Sequence, residues 1–207
     1  MKRSVTLFSL LVLTSCVITA QTVTIGKQVW MTKNLNVSSF RNGDPIPEAK
    51  TEGEWKAYSQ AKEPAWCYYD NDSSNGEKYG KLYNWYAVND KRGLAPAGYH
   101  IPTDKEWTVL TNYLGGVEIA GAKMKSSQGW GVKDGNGTNS SGFSGLPGGN
   151  RYFNGTFINF GEYGYWWSST EGSTYFAWNR LLDYGSGDVT RYYVAKERGF
   201  SVRCLRD

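Results

Sequence analysis

Few residues in this chain are equipped for chemistry. His100 is the only histidine among 207 residues, so a triad or a histidine-bearing metal cluster must use it or go without. It lies just ahead of Thr103-Asp104-Lys105-Glu106, a helix-capping sequence, and that setting predicts a hydrogen-bonded structural histidine rather than a general base. Asp70, Asp72 and Ser74 alternate as in a calcium loop. Gly76 falls one position late, however, and Lys81 stands where a bidentate glutamate belongs, so the reading is a solvated loop and no metal site is assigned. Asp183 and Asp188 have the residue type of a glycosidase carboxylate pair, but such pairs are abundant and nothing singles these out. No catalytic residue and no cofactor is assigned. Cys67 and Cys204 are the only cysteines after residue 20. In an oxidising compartment they predict one disulfide, tying the chain end to its first third and worth about 2–5 kcal/mol; two unpaired thiols are the alternative.

The richest stretch is Tyr175 to Tyr193. Tyr175, Trp178, Arg180, Asp183, Tyr184, Asp188, Arg191, Tyr192 and Tyr193 mix flat aromatic faces with charged hydrogen-bonding groups, the composition of a binding surface. In strands, alternation lets only some of them point outward, and the competing reading is that half or more are sheet core.

These residues act outside the cytoplasm if the N-terminus is read correctly. Met1-Lys2-Arg3 precedes an apolar run from Val5 to Leu13, and Ile18 and Ala20 suit cleavage before Gln21, so residues 1–20 read as a signal peptide. Too few apolar residues run together for a spanning helix. Leu13-Thr14-Ser15-Cys16 also fits a lipobox, which would anchor the chain to a membrane through Cys16; apolar Val17 and Ile18 favour soluble export instead. Beyond residue 20 there remain 21 basic and 19 acidic residues, scattered singly, which disfavours nucleic acid or an anionic membrane as partner. Residues 21–207 read as one domain without linker or repeat.

The positioning elements follow from pattern. Nine Trp, fifteen Tyr and eight Phe accompany 25 Gly, so aromatic residues must do much of the packing in a fold with many turns. Thr22 to Met31 predicts a hairpin around Gly26-Lys27, and Glu52 to Ala61 a short helix stopped by Pro64. Leu82, Trp85 and Tyr86 have the spacing of a buried helical face over Lys81–Val88. Thr103 to Glu106 opens a second core helix with Trp107, Leu110, Thr111 and Leu114 inward, ended by Gly115-Gly116. Short strands are predicted over 143–146, 152–160, 163–169, 175–182, 189–194 and 200–205. Together these give an α+β layout, two short helices packed on a twisted, loop-rich antiparallel sheet.

Five ordered motifs carry a resemblance. They are Gln28-Val29-Trp30-Met31 with Lys33-Asn34-Leu35; Tyr79-Gly80-Lys81-Leu82-Tyr83-Asn84-Trp85-Tyr86-Ala87-Val88; Gly98-Tyr99-His100-Ile101-Pro102-Thr103-Asp104-Lys105-Glu106-Trp107; Trp166-Trp167-Ser168-Ser169-Thr170; and Gly199-Phe200-Ser201-Val202-Arg203-Cys204. Across nearly all of residues 21–207 the chain resembles the Fibrobacter succinogenes major paralogous domain family. That resemblance implies a C-type lectin-like fold related to formylglycine-generating, sulfatase-modifying enzymes, with the C-terminal region as ligand face and, in diversity-generating systems, as the varied region. The copper-binding cysteine pair of those enzymes has no counterpart, since no cysteine lies between Trp178 and Phe200. Glu63-Pro64-Ala65 and Trp178-Asn179-Arg180 depart from the sugar-reading motifs of calcium-dependent lectins. The expectation is therefore a secreted or cell-surface, noncatalytic recognition protein that binds a glycan or a protein through Tyr175–Tyr193. The alternatives are an exported carboxylate hydrolase and a purely structural surface component.

Overall fold

The structure, a computed structural model, describes residues 21–131 and 135–207; the expected signal peptide and Cys16 lie outside the described residues. Alternating residues around Gly26, whose φ of 63° suits glycine, form the hairpin β1 (Thr22–Ile25) and β2 (Gln28–Met31), with Thr22 opposite Met31. Thr51 and Glu54 make a reciprocal capping box for α1 (Glu52–Ala61). β3 (Trp66–Cys67) is followed by a short helical turn at Tyr69–Asn71 and by α2 (Asn75–Tyr79). β4 (Leu82–Tyr83) pairs with β3, and α3 (Trp85–Val88) follows directly. After β5 (Tyr99–His100) come α4 (Asp104–Tyr113), again capped reciprocally by Thr103 and Glu106, and α5 (Val117–Met124). β6 (Gly148–Arg151), β7 (Phe157–Phe160), β8 (Tyr163–Glu171), β9 (Phe176–Asp183), β10 (Val189–Ala195) and β11 (Leu205–Arg206) complete the chain.

The strands form three sheets. β1-β2-β11-β5 joins the two ends of the described chain, β10-β9-β8-β6-β7 is the largest, and β3-β4 is a two-stranded ladder. The α+β character holds. The C-type lectin-like layout of two short helices on one sheet does not: among the described residues there are five α-helices and three sheets.

Local chemistry accounts for each departure. Over Lys81–Val88 the helix begins only at Trp85, because Asn84 caps it by accepting from the Ala87 N–H at 3.0 Å, and Leu82–Tyr83 are left to pair with β3. Gly115 and Gly116, at φ 107° and 99°, end α4 but also turn the chain straight into α5. β6 opens directly after Pro147, and Gly149 at φ 63° leaves room there for the Tyr69 ring. Phe143–Leu146 is not a strand; Gly145 makes one isolated bridge to Lys125 and Phe143 is core. Of 200–205, only Leu205 lies in a regular strand, while Phe200 and Ser201 form single bridges to Tyr83 and Trp166.

The core is aromatic, as composition required. Trp30, Trp107, Phe143 and Trp166 meet at centroid distances of 4.8–5.8 Å under α4 and α5. A second cluster gathers Trp66, Tyr83, Trp85, Trp167 and Phe200, and a third Trp55, Cys67 and Leu82. Buried indoles keep their N–H groups bonded, Trp55 to Glu197 O, Trp66 to Ile46 O and Trp167 to Tyr83 O among them. The predicted Cys67–Cys204 disulfide is absent. Both thiols are free and buried in different clusters, Cys67 with Trp55 and Cys204 with Phe200, so core packing has placed them apart. Burial pushes both thiols up to about 12.

Candidate functional site

β9 and β10 form an antiparallel hairpin whose register sorts the predicted residues by face. Trp178 stands opposite Tyr193, Arg180 opposite Arg191, and Asn179 opposite Tyr192. Because strand side chains alternate, Trp178, Arg180, Arg191 and Tyr193 share one face, and Tyr192 points to the other.

On the shared face a single carboxylate organises two guanidinium groups. Asp104, the first residue of α4, accepts from Arg180 Nη1 at 2.7 Å and from Arg191 Nε at 2.9 Å through Oδ1, and from Arg191 Nη2 at 2.9 Å through Oδ2. Arg180 is buried and also donates to Asp104 O at 2.9 Å and Thr108 Oγ1 at 3.0 Å, which ties the hairpin to α4. Burial alone would raise the Asp104 carboxyl, but bonds and charge from Arg191 and Arg180 outweigh it and hold it below the ordinary range. So anchored, the Arg191 guanidinium lies 3.3 Å from the Trp178 ring centroid. Trp178 and Tyr193 meet at 5.1 Å, and Tyr193 meets Phe176 edge-on at 5.7 Å. Tyr193 is 54% exposed and Phe176 38%, with Tyr175 at 63% in the adjoining turn.

Trp178 stands apart from the other tryptophans. Trp30, 55, 66, 85, 107, 130, 166 and 167 are buried, whereas Trp178 is partly exposed and, among the described residues, its indole N–H bonds to nothing. It presents an aromatic edge and a free donor beside a fixed cation.

The remaining predicted residues do not join this face. Tyr192, also 54% exposed, lies across the sheet. Asp183, Tyr184 and Asp188 sit in or beside the turn that links β9 to β10. Lys125 is buried and fixes that turn by donating to Asp183 O at 2.9 Å and Ser186 O at 2.8 Å. Asp183 Oδ1 accepts from Gly185 N at 2.7 Å, a local turn bond, and Asp188 N donates to Ser186 Oγ at 3.0 Å. Sequence reasoning missed Phe176, hidden inside a strand pattern, and Asp104, which read only as part of a helix cap. An acid at the first helical position already suits the helix dipole, so nothing in the sequence ties it to Arg180 or Arg191.

His100 is fully engaged. Nδ1 lies 2.7 Å from Asp207 Oδ1 and Nε2 3.0 Å from Glu106 Oε1, while Glu106 Oε2 caps Thr103 at 2.8 Å. Burial would lower its pKa, but bonds to Asp207 and Glu106 outweigh that and raise it. The Asp70–Ser74 segment is a turn in which Asp72 Oδ1 accepts from Ser74 N at 2.9 Å. Among the described residues no three His, Cys, Asp or Glu side chains gather as a metal site, and no helix is long and apolar enough to cross a membrane. Two further clefts are present, one of about 520 Å³ beside Lys33, Lys78 and Arg203, the other of about 470 Å³ beside Ser59 and Phe153 and reaching Ala195 at the end of β10.

No curated protein matches the chain. Residues 23–206, nearly everything described, match the Fibrobacter succinogenes major domain, and the chain therefore belongs to that family.

Proposed function

We propose that this protein is an exported, noncatalytic recognition module that binds a glycan through the face built from Tyr175, Phe176, Trp178, Arg191 and Tyr193. The observation that carries the reading is Trp178: it is the one tryptophan not consumed by the core, and its ring is held by Arg191 on Asp104 with the indole N–H left open. Rigid aromatic rings cost little entropy to dock against, and sugars offer both an apolar ring face and hydroxyl partners. Arg180 contributes by anchoring the platform from beneath rather than by touching ligand.

The carboxylate-hydrolase alternative needs an acid whose pKa is raised to serve as proton donor. The acids displaced from their ordinary values, Glu54, Asp72, Asp90, Asp104 and Glu106, are all lowered instead. Asp183, the nearest candidate, uses a carboxylate oxygen to close its own turn.

A glycan array probed with and without calcium, beside Trp178→Ala, tests the proposal. Saturable binding lost in the variant supports it and reports whether a cation takes part. A blank array from folded protein rejects a glycan ligand.

A further inference from the structure

We propose that the cleft between α1, the β6–β7 turn and the segment after β10 is a second saccharide site, independent of the hairpin face and suited to one or two neutral sugar rings. Its volume of about 470 Å³ falls within the range of small-molecule sites, roughly 300–1,000 Å³. Lys56, Ser59 and Gln60 from α1, Phe153 and Asn154 from the turn, Ala195 at the end of β10, and Glu197 line it.

Ser59 is the first indication. It is 4% exposed, and its hydroxyl has no hydrogen-bond partner among the described residues. A buried, unpaired hydroxyl costs stability, and alanine is the better helix former in the last turn of α1, where Ser59 lies. Serine there therefore opposes folding, as a residue retained for binding does.

Phe153 is the second. Its ring is 48% exposed at the cleft edge yet fixed in place, packed at 4.4 Å on Tyr152, which in turn lies under the Arg198 guanidinium at 4.2 Å. A rigid exposed ring offers a preformed wall for the apolar face of a pyranose.

The polar groups opposite set the ligand class. Glu197 makes no ion pair among the described residues. Lys56 is only loosely engaged, 4.0 Å from Glu52. A carboxylate, an ammonium, two primary amides and a hydroxyl supply both donors and acceptors with no excess of charge. Vicinal sugar hydroxyls, each able to donate and accept, match that set; a strong anion would meet Glu197, and a cation Lys56.

Saturation-transfer NMR on the full-length protein, using neutral hexoses, N-acetylhexosamines and their β-linked disaccharides, tests the site. In the Trp178→Ala background, where the hairpin face no longer contributes, the remaining binding should weaken about tenfold on adding Phe153→Ala or Glu197→Gln. Ser59→Ala is the sharper variant. Its affinity should fall several-fold while its Tm stays level or rises. No transfer to any sugar from folded Trp178→Ala protein overturns the proposal. So does a Ser59→Ala protein that melts lower yet binds unchanged, because that hydroxyl would then be structural.

Discussion

Replacing Asp104 by alanine should destabilise the protein well beyond the cost of a surface substitution. The Asp104 side chain is 17% exposed and that of Arg180 3%, so the substitution strips the only carboxylate from a buried guanidinium. Breaking a buried pair in this way costs about 3–5 kcal/mol. Arg180 keeps acceptors at Asp104 O, Thr108 Oγ1 and Asn179 O, which brings the expectation to about 2–4 kcal/mol. Urea unfolding followed by tryptophan fluorescence would register this as a midpoint lowered by roughly 1–2 M. The carboxyl is held below its ordinary value of 3.8, so its contribution is present above that pH and disappears as pH falls through the folded pKa. The gap between wild type and variant should therefore close in acid. In a cycle with Arg180→Met, the two losses should fall short of additivity by about 1.5 kcal/mol or more. A variant within about 0.5 kcal/mol of wild type, or additive losses, would refute the claim that Asp104 organises this face.

Other consequences are equally direct. His100 is raised above its ordinary 6.5, so its stabilising contribution is full below that pH and is lost as pH rises through the folded value; in His100→Gln this part of the pH profile should flatten, as urea midpoints between about pH 6 and 8 will report. Cys67 and Cys204 should resist thiol reagents in the native protein and react in denaturant, with Tm indifferent to reductant; a Cys67–Cys204 disulfide found by peptide mapping would contradict the fold. Gly121→Ala, a change that stabilises an ordinary helix by about 0.5–1 kcal/mol, should here lower Tm, because its Cβ would stand 2.2 Å from Asp188 O and 2.6 Å from Gly187 O.

Where local chemistry decides the structure, the sequence was legible. The hairpin at Gly26, both reciprocally capped helices and the strands β8, β9 and β10 follow from turn residues, caps and alternation. Elements settled by distant partners were not. β4 exists because Trp66–Cys67 lies alongside it, and β6 because β7 and β8 flank it, and neither neighbour is visible in a local window. The two cysteines illustrate the same limit, since compartment and count predicted a bond that three-dimensional packing forbids. At the candidate site, composition marked the stretch Tyr175–Tyr193 but could not divide it by face. Only register shows that Tyr192 and Tyr193, adjacent in sequence, face opposite ways, and only the tertiary fold brings Asp104 to Arg191.

That division also supplies the most direct test. Tyr192 and Tyr193 are each 54% exposed, so either can be truncated without opening the core. Titration calorimetry of Tyr193→Ala and Tyr192→Ala, using a glycan bound by the wild-type protein, compares the two faces of one hairpin. The account predicts at least about a tenfold loss of affinity for Tyr193→Ala and near wild-type binding for Tyr192→Ala. Equal effects, or a loss confined to Tyr192→Ala, would contradict it.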